Sequence, residues 1–262
     1  MARSKKKNLK NVVVLLSGGL DSSTLAYLAS KSSKPHIKNR VFTLTFDYGQ
    51  RHKKELSSAE RISKKIDAVS HKVVKFDLSL WGGSSLTVQN LKVPQNRLFK
   101  HSQSLTAKSI PNTYVPARNT IFLSFALAFA EAIKASEIYI GVNQIDYSGY
   151  VDCRGDFIKK FQELARVATV SGVDGNPVKI KTPLMSLSKK EIVRVGQRLG
   201  VDWKSTWSCY LGKRFSCGQC DSCQLRLQGF MQAGIRDPLR YKNLPKFYEK
   251  WVKCDNVNLQ AT

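Results

Sequence analysis

The sequence predicts an α/β fold built on a doubly wound parallel sheet, on three observations. Val12-Val13-Val14-Leu15-Leu16 is an uninterrupted, largely β-branched apolar run, the pattern of a strand covered on both faces. It breaks at once into Ser17-Gly18-Gly19 and a helical pattern. Strand and helix patterns then alternate to about residue 199, which implies parallel pairing through crossover helices. A ligand crevice is expected at the carboxyl ends of such strands.

Each element follows from its residues. Asp21 and Ser22 are good N-cap residues for a first helix running through Leu25, Ala26 and Leu28. Arg40–Phe46 reads as the second strand and ends at Asp47-Tyr48-Gly49. Leu56, Ala59, Ile62 and Ile66 recur at helical spacing, so residues 52–68 form an amphipathic helix. His71–Phe76 is a third strand, Ala117–Ala135 a long apolar helix and Glu137–Gly141 a fourth strand. A helix over 155–170 and a short strand at Val178–Ile180 follow. Ser188–Leu199 is a helix that opens with a capping box, Ser188 with Glu191 three residues on. Residues 82–116 are rich in Ser, Gln, Asn and Lys and lack periodicity; an insertion of this kind is either a functional lid or disordered. No internal repeat is apparent. The expected organisation is a basic tail at 1–10, an α/β domain at 11–205 with the 82–116 lid, and a metal-binding helical segment at 206–262.

Composition narrows the classes. At 262 residues and 42% apolar content, the chain can bury a full core. No apolar run approaches the roughly 20 residues of a membrane span. The basic N-terminus, Met1 to Lys7, has no apolar signal core behind it. A cytoplasmic location is therefore expected, where six cysteines serve metal binding or chemistry rather than disulfides. The net charge of +24 attracts polyanions without choosing among them, and the lysines are spread rather than gathered in one block.

Two motifs carry chemistry. Adjacent Gly18 and Gly19 allow a tight turn with bare N–H groups at a helix N-terminus, which is an anion cradle. No Gly-Lys-Ser/Thr follows, so this is not a Walker A loop, and no third Gly makes it a dinucleotide fingerprint. The loop resembles the PP-loop, Ser-Gly-Gly-x-Asp-Ser, of ATP pyrophosphatases. That resemblance implies ATP cleavage between the α- and β-phosphates, with Asp21 facing Mg²⁺. The ATP-binding residues it implies are Leu16, Ser17, Gly18, Gly19, Leu20, Asp21, Ser22, Ser23, Thr24, Leu25 and Ala26. The second motif is Cys209, Cys217, Cys220 and Cys223, four ligands within fifteen residues. Four thiolates suit one tetrahedral Zn²⁺ per chain. An iron–sulfur cluster is the rival, although no Cys-Pro closes the run. Cys254 matches neither motif.

The whole chain resembles the QueC family. The carrying stretches are SGGLDSST at 17–24, FDYGQRHKKEL at 46–56, YVPARN at 114–119, GVNQIDYSGYVDCR at 141–154, TPLMSLSKKEIV at 182–193 and TWSCY at 206–210, with the cysteine run and the AGIRDP tail at 233–238. Ala117 stands where that family often has Gly, and the 82–116 insertion is longer than usual. The resemblance implies conversion of 7-carboxy-7-deazaguanine and ammonia to 7-cyano-7-deazaguanine through an adenylylated acid and an amide. No protein nucleophile is needed, which fits the lack of a Ser-His-Asp or Cys-His set.

Asp21, Arg118, Asn119, Arg51 and His52 are the expected catalytic residues. Arg118 and Asn119 would hold a carboxylate or the α-phosphate. Tyr48, Gln50, Asp146, Tyr147, Asp152 and Arg154 are expected to bind the base, a carboxylate meeting its N–H donors and Tyr147 stacking on it. Lys189 and Glu191 read as members of the capped helix. The expected partners are small molecules, with a homodimer as the assembly and neither a membrane nor an obligatory nucleic acid. The alternatives are a PP-loop enzyme that modifies tRNA directly and a related amide-forming enzyme of DNA modification or defence.

Overall fold

A computed structural model describes residues 8–31, 35–96, 110–145 and 150–259. Five parallel strands form one sheet in the order β3-β2-β1-β4-β5: β1 (Asn8–Leu15), β2 (Ile37–Asp47), β3 (Ser70–Lys75), β4 (Glu137–Tyr139) and β5 (Lys179–Lys181). The helices are α1 (Leu20–Ser30), α2 (Lys54–Lys65), α3 (Arg118–Ala132), α4 (Gly155–Val167), α5 (Val170–Val173), α6 (Lys189–Leu199), α7 (Asp221–Ala233) and α8 (Lys246–Leu259). The chain winds outward from β1 to β3 and then crosses back to place β4 on the other side of β1. That reversal puts the β1–α1 turn at the topological switch point, where such sheets bind ligands.

The apolar run of β1 works by alternation. Val12, Val14 and Leu16 pack with α1, α2 and α6 on one face, through Leu25, Ala26, Ala59, Ile62, Ile192 and Val193. Val13 and Leu15 face the opposite layer, where Leu123, Ala126 and Ala130 of α3 and Ile158, Phe161 and Ala165 of α4 close the core. The capping box on α6 is present as expected, Ser188 Oγ accepting from the Glu191 N–H.

Several boundaries differ from the sequence reading. β1 begins at Asn8 and pairs with Ile37, so the last residues of the expected tail belong to the sheet. The N-cap of α1 is Gly19, not Asp21 or Ser22, and no side chain caps it. Ser22 instead turns back into the loop, its Oγ accepting from the Ser17 N–H at 3.2 Å. The segment from 206 onward packs against the sheet domain. Phe230 of α7 belongs to the α1/α2/α6 core. The buried Arg226 donates to both oxygens of Asp237 at 2.6 and 2.9 Å and to Thr206 Oγ1 at 2.8 Å.

Within the 82–116 insertion, residues 97–109 lie outside the described residues. Its flanks are packed: Ser84, Ser85, Leu86, Thr87 and Val93 are buried. Asn96 N–H donates to the Gln219 carbonyl at 2.9 Å, so this flank leans on the cysteine segment.

The chain enters α3 through Ala117 at φ +52° and ψ 21°, a left-handed conformation that costs a residue with a Cβ about 1–2 kcal/mol. Glycine removes that cost but adds backbone entropy to the unfolded chain. Ala117→Gly is therefore expected to stabilise the protein by about 0.5–1 kcal/mol, a rise in Tm of about 2 °C for a chain of this size. A fall in Tm on thermal unfolding would show that the local strain is relieved in some other way.

Candidate functional site

The β1–α1 turn opens into a cavity of about 270 Å³ at the carboxyl ends of β1, β2 and β4. Gly18 has φ +75°, and a Cβ there would fall 2.5 Å from the Ala59 nitrogen and 2.7 Å from the Glu55 oxygen. Only glycine lets the loop lie this close to α2. The loop is then held from inside, Ser17 Oγ lying 3.0 Å from Ser22 Oγ and the Gly18 carbonyl accepting from the Trp207 N–H at 2.8 Å. The first-turn N–H groups of α1 have no carbonyl within the helix to bond and so suit an anion.

Leu16, Ser17, Gly19, Leu20, Asp21 and Ser22 line the cavity. Ser23, Thr24, Leu25 and Ala26 do not: all four are fully buried in α1, and Thr24 Oγ1 bonds back to the Leu20 carbonyl at 3.0 Å. Their side chains pack within the core and support the loop. Asp21 carries a partner that motif reading missed. Lys189, the first residue of α6, donates to both of its carboxylate oxygens at 2.8 Å. The sequence signal was there, in a Lys at the start of a capped helix, but helix-start residues are usually solvated. What makes Lys189 different is burial, since its side chain is only 8% exposed.

The cavity is also lined by Arg118, Tyr48, Gln50 and Glu55. Arg118 Nη1 donates to the Tyr48 hydroxyl at 3.3 Å. Gln50 is anchored by its own backbone neighbours, Oε1 accepting from the Tyr48 N–H at 2.7 Å, and its Nε2 donates to Glu55 Oε1 at 3.0 Å. Glu55, unremarked in the sequence, is the second residue missed. Burial pushes its carboxyl up to about 7, against the opposing pull of Arg118 and the Gln50 hydrogen bond. Burial also pushes the Tyr48 hydroxyl up to about 12, so it stays protonated.

Other expected residues are placed differently. Arg51 borders the cavity, but its guanidinium donates to the carbonyls of Ser85, Val88, Gln89 and Leu91. Its observed work is to clasp the 85–91 turn. His52 faces Trp207 edge-on with centroids 6.4 Å apart, and burial lowers its pKa, which keeps the ring neutral. Asn119 lines the cavity and is fixed by Asp152, whose Oδ2 accepts the Asn119 N–H at 2.9 Å. Asp152 therefore caps α3 instead of lining the cavity, and Arg154 does not reach the cavity wall either. Cys153 Sγ accepts from Asn119 Nδ2 at 3.3 Å, and burial pushes its thiol up to about 12, which favours the protonated thiol. Asp146 and Tyr147 lie outside the described residues.

Trp207, Ser208, Tyr210 and Arg226 complete the wall, so the cysteine segment contributes directly to the cavity. Cys209, Cys217, Cys220 and Cys223 are all buried, with their sulfurs within 4.8 Å of one another. Cys217 Sγ accepts the N–H groups of Gln219 and Cys220 at 3.4 and 3.2 Å, and Cys209 Sγ those of Leu211 and Cys217. Gly218 makes this turn with φ +79°, pressed against the Asn243 carbonyl. Sulfurs this close, two of them accepting backbone N–H bonds, form a donor set suited to a single thiophilic metal ion.

A parallel sheet with a Ser-Gly-Gly-x-Asp-Ser turn at its switch point, beside a segment whose four buried thiols could hold a metal ion, makes this a doubly wound α/β protein with a PP-loop-like turn. The profile of the family described as queuosine biosynthesis protein QueC matches residues 11–234. The 7-cyano-7-deazaguanine synthase of Nostoc sp. (strain PCC 7120 / SAG 25.82 / UTEX 2576) is 52% identical over 232 residues, covering 88% of this chain and 97% of that protein. The 7-cyano-7-deazaguanine synthase of Anaeromyxobacter dehalogenans (strain 2CP-C) is 52% identical over 234 residues, covering 88% and 96%. The chain belongs to the QueC family and is an enzyme of queuosine biosynthesis. Among the described residues, no helix is long and apolar enough to cross a membrane.

Proposed function

We propose that the protein is an ATP-dependent carbon–nitrogen ligase that converts 7-carboxy-7-deazaguanine and ammonia to 7-cyano-7-deazaguanine. The observation that carries this reading is the identity of about half of all residues with synthases of that name, over nearly their full length. The cavity geometry supports it, because an anion-binding turn faces Arg118 across one small space. In the first half-reaction a carboxylate oxygen attacks the α-phosphorus of ATP and pyrophosphate leaves. Ammonia then adds to the acyl carbon, AMP departs, and the amide remains. A second ATP adenylylates the amide oxygen, and loss of AMP with the two amide protons leaves the nitrile.

Catalysis in this scheme is positioning and charge stabilisation. The loop N–H groups hold the leaving pyrophosphate, and the Lys189–Asp21 pair sits at the base of that site. Arg118 pairs with the substrate carboxylate or the α-phosphate. Glu55, with a proton affinity near neutrality, takes the proton that the attacking nitrogen must shed. Asp21 would face the Mg²⁺ that accompanies the phosphates. The four cysteines would hold Zn²⁺, which supplies structure. The 3.9 Å between Cys217 and Cys223 sulfurs fits the separation of about 3.8 Å that four Zn–S bonds of about 2.3 Å impose. A homodimer and a cytoplasmic location complete the reading. The exposed apolar row Leu164, Val167, Val170 and Val173 gives self-association a surface.

The decisive test is incubation with 7-carboxy-7-deazaguanine, ATP, Mg²⁺ and ammonium, with products identified by mass. The expected products are the nitrile, AMP and pyrophosphate. ADP and phosphate as the only nucleotide products would overturn the mechanism. An amide that accumulates without nitrile would place the protein in the amide-forming branch.

Glu55 gives this reading a pH signature. Its carboxyl is raised from 4.5 to about 7, so burial favours the protonated folded state. The contribution to stability is full below pH 4.5 and is lost as pH rises through 7. It amounts to about 2 kcal/mol after allowance for water reaching this half-buried side chain. Glu55→Gln should therefore gain stability relative to wild type between pH 5 and 8 in thermal unfolding. It should also lose about 10²-fold in amide formation and the low-pH fall in kcat/KM. An unchanged pH profile would remove Glu55 from proton transfer.

A further inference from the structure

A second cavity, of about 660 Å³, lies between α2 and the segments at 214–215 and 238–240. One face of α2 supplies Lys54, Ser57, Ser58 and Arg61, at helical spacing. Lys204, Arg214 and Arg240 bring its cations to five, and none of its twelve lining residues is acidic. The cations near this groove are met by neutral groups. Arg61 donates to Ser58 Oγ at 2.9 Å and to the Ser205 carbonyl at 3.4 Å, and Lys54 donates to the Lys213 carbonyl. Asp202, on the same turn as Lys204, is engaged by Lys65 at 3.0 Å and by Ser205 Oγ at 2.7 Å. Five cations converging on a concave wall without a carboxylate create a field that collects phosphate groups.

Two aromatic rings share the groove. Lys54 Nζ lies 4.4 Å from the Trp207 ring centroid, and the Arg214 guanidinium 5.3 Å from that of Phe215. Phe215 is 38% exposed. Phosphate-binding cations beside an aromatic surface match a nucleotide, with phosphates at the cations and the base on a ring. The volume is that of a small-ligand pocket.

From this arrangement we propose that the groove is a second nucleotide site, for a nucleoside di- or triphosphate, distinct from the catalytic cavity. The two share Trp207 as a wall, whose N–H donates to the Gly18 carbonyl of the catalytic loop. A nucleotide in the groove thus presses on the residue that holds the loop.

The test uses the full chain and α,β-methylene-ATP, which PP-loop cleavage cannot hydrolyse, with binding followed by isothermal titration calorimetry at 150 mM salt. Wild type is expected to bind two equivalents per chain. Arg214→Ser combined with Arg240→Ser alters two exposed side chains and should weaken one of the two sites at least 20-fold while turnover persists. Asp21→Asn should leave that groove site unchanged. A single equivalent in wild type, or two undiminished sites in the double variant, overturns the proposal. Titration with a twelve-nucleotide single-stranded RNA separates the other source of phosphates. RNA binding more than 100-fold tighter than the nucleotide, lost in the double variant and steep in salt, would make the groove a nucleic-acid site and overturn the nucleotide reading.

Discussion

Cys217→Ser and Cys220→Ser are each expected to release the bound metal and lower the Tm by more than any other single substitution in the chain. The four sulfurs lie within 4.8 Å of one another and every one of the residues is buried. A structural zinc site is worth about 10–16 kcal/mol of apparent binding free energy in model peptides, comparable to or above the stability of a whole domain. The loss has a route to the active cavity. Trp207 and Tyr210 flank Cys209 and line the cavity, and Asn96 leans on Gln219, between Cys217 and Cys220. The expected result is parallel loss of metal and melting temperature, with activity falling in proportion to the folded protein that remains. Metal content by elemental analysis and Tm by calorimetry check it. A stable, metal-free variant without activity would assign the metal to catalysis. A brown wild-type protein with stoichiometric iron would replace zinc by a cluster.

Asp21→Asn is expected to lower turnover about 10²–10³-fold while the chain stays folded. Asn keeps the shape of the side chain but removes the charge that Lys189 meets and that would face a magnesium-bound phosphate chain. Lys189 is then left nearly buried without its counter-ion, so a modest loss of Tm accompanies the effect. Lys189→Met separates the two roles. If the pair serves only packing, this variant melts lower but turns over normally. If it positions the phosphates, KM for ATP rises as well. Wild-type turnover in Asp21→Asn would remove Asp21 from the mechanism.

Much of the molecule was legible before its coordinates. The β-branched run at 12–16 announces a two-faced strand, because a short β-branched apolar run ended by a glycine pair suits a covered parallel sheet. The capping box at Ser188 and Glu191 and the spacing of Cys209 to Cys223 are equally local, since both depend on residues a few positions apart. Local chemistry of this kind is written along the chain. What the sequence does not show is what a side chain meets from afar. Arg51 sits next to a strand end, the usual place for a ligand contact, and its Nε and Nη2 donate to carbonyls more than thirty residues away. Asp152 lies in a family stretch, but its carboxylate caps α3 across thirty-three residues.

What the sequence alone determined is the class of sheet, the anion-binding turn at its switch point and the four-thiol cluster. Each rests on periodicity, on backbone freedom at a glycine or on ligand spacing. Tertiary structure alone decided that Lys189 reaches Asp21 across 168 positions and that Glu55 is buried enough to hold its proton near neutrality. It also decided that the cysteine segment supplies part of the cavity wall. The physical reason is common to all three. Burial and charge pairing are properties of the space between elements, and that space exists only once the helices have packed on the sheet.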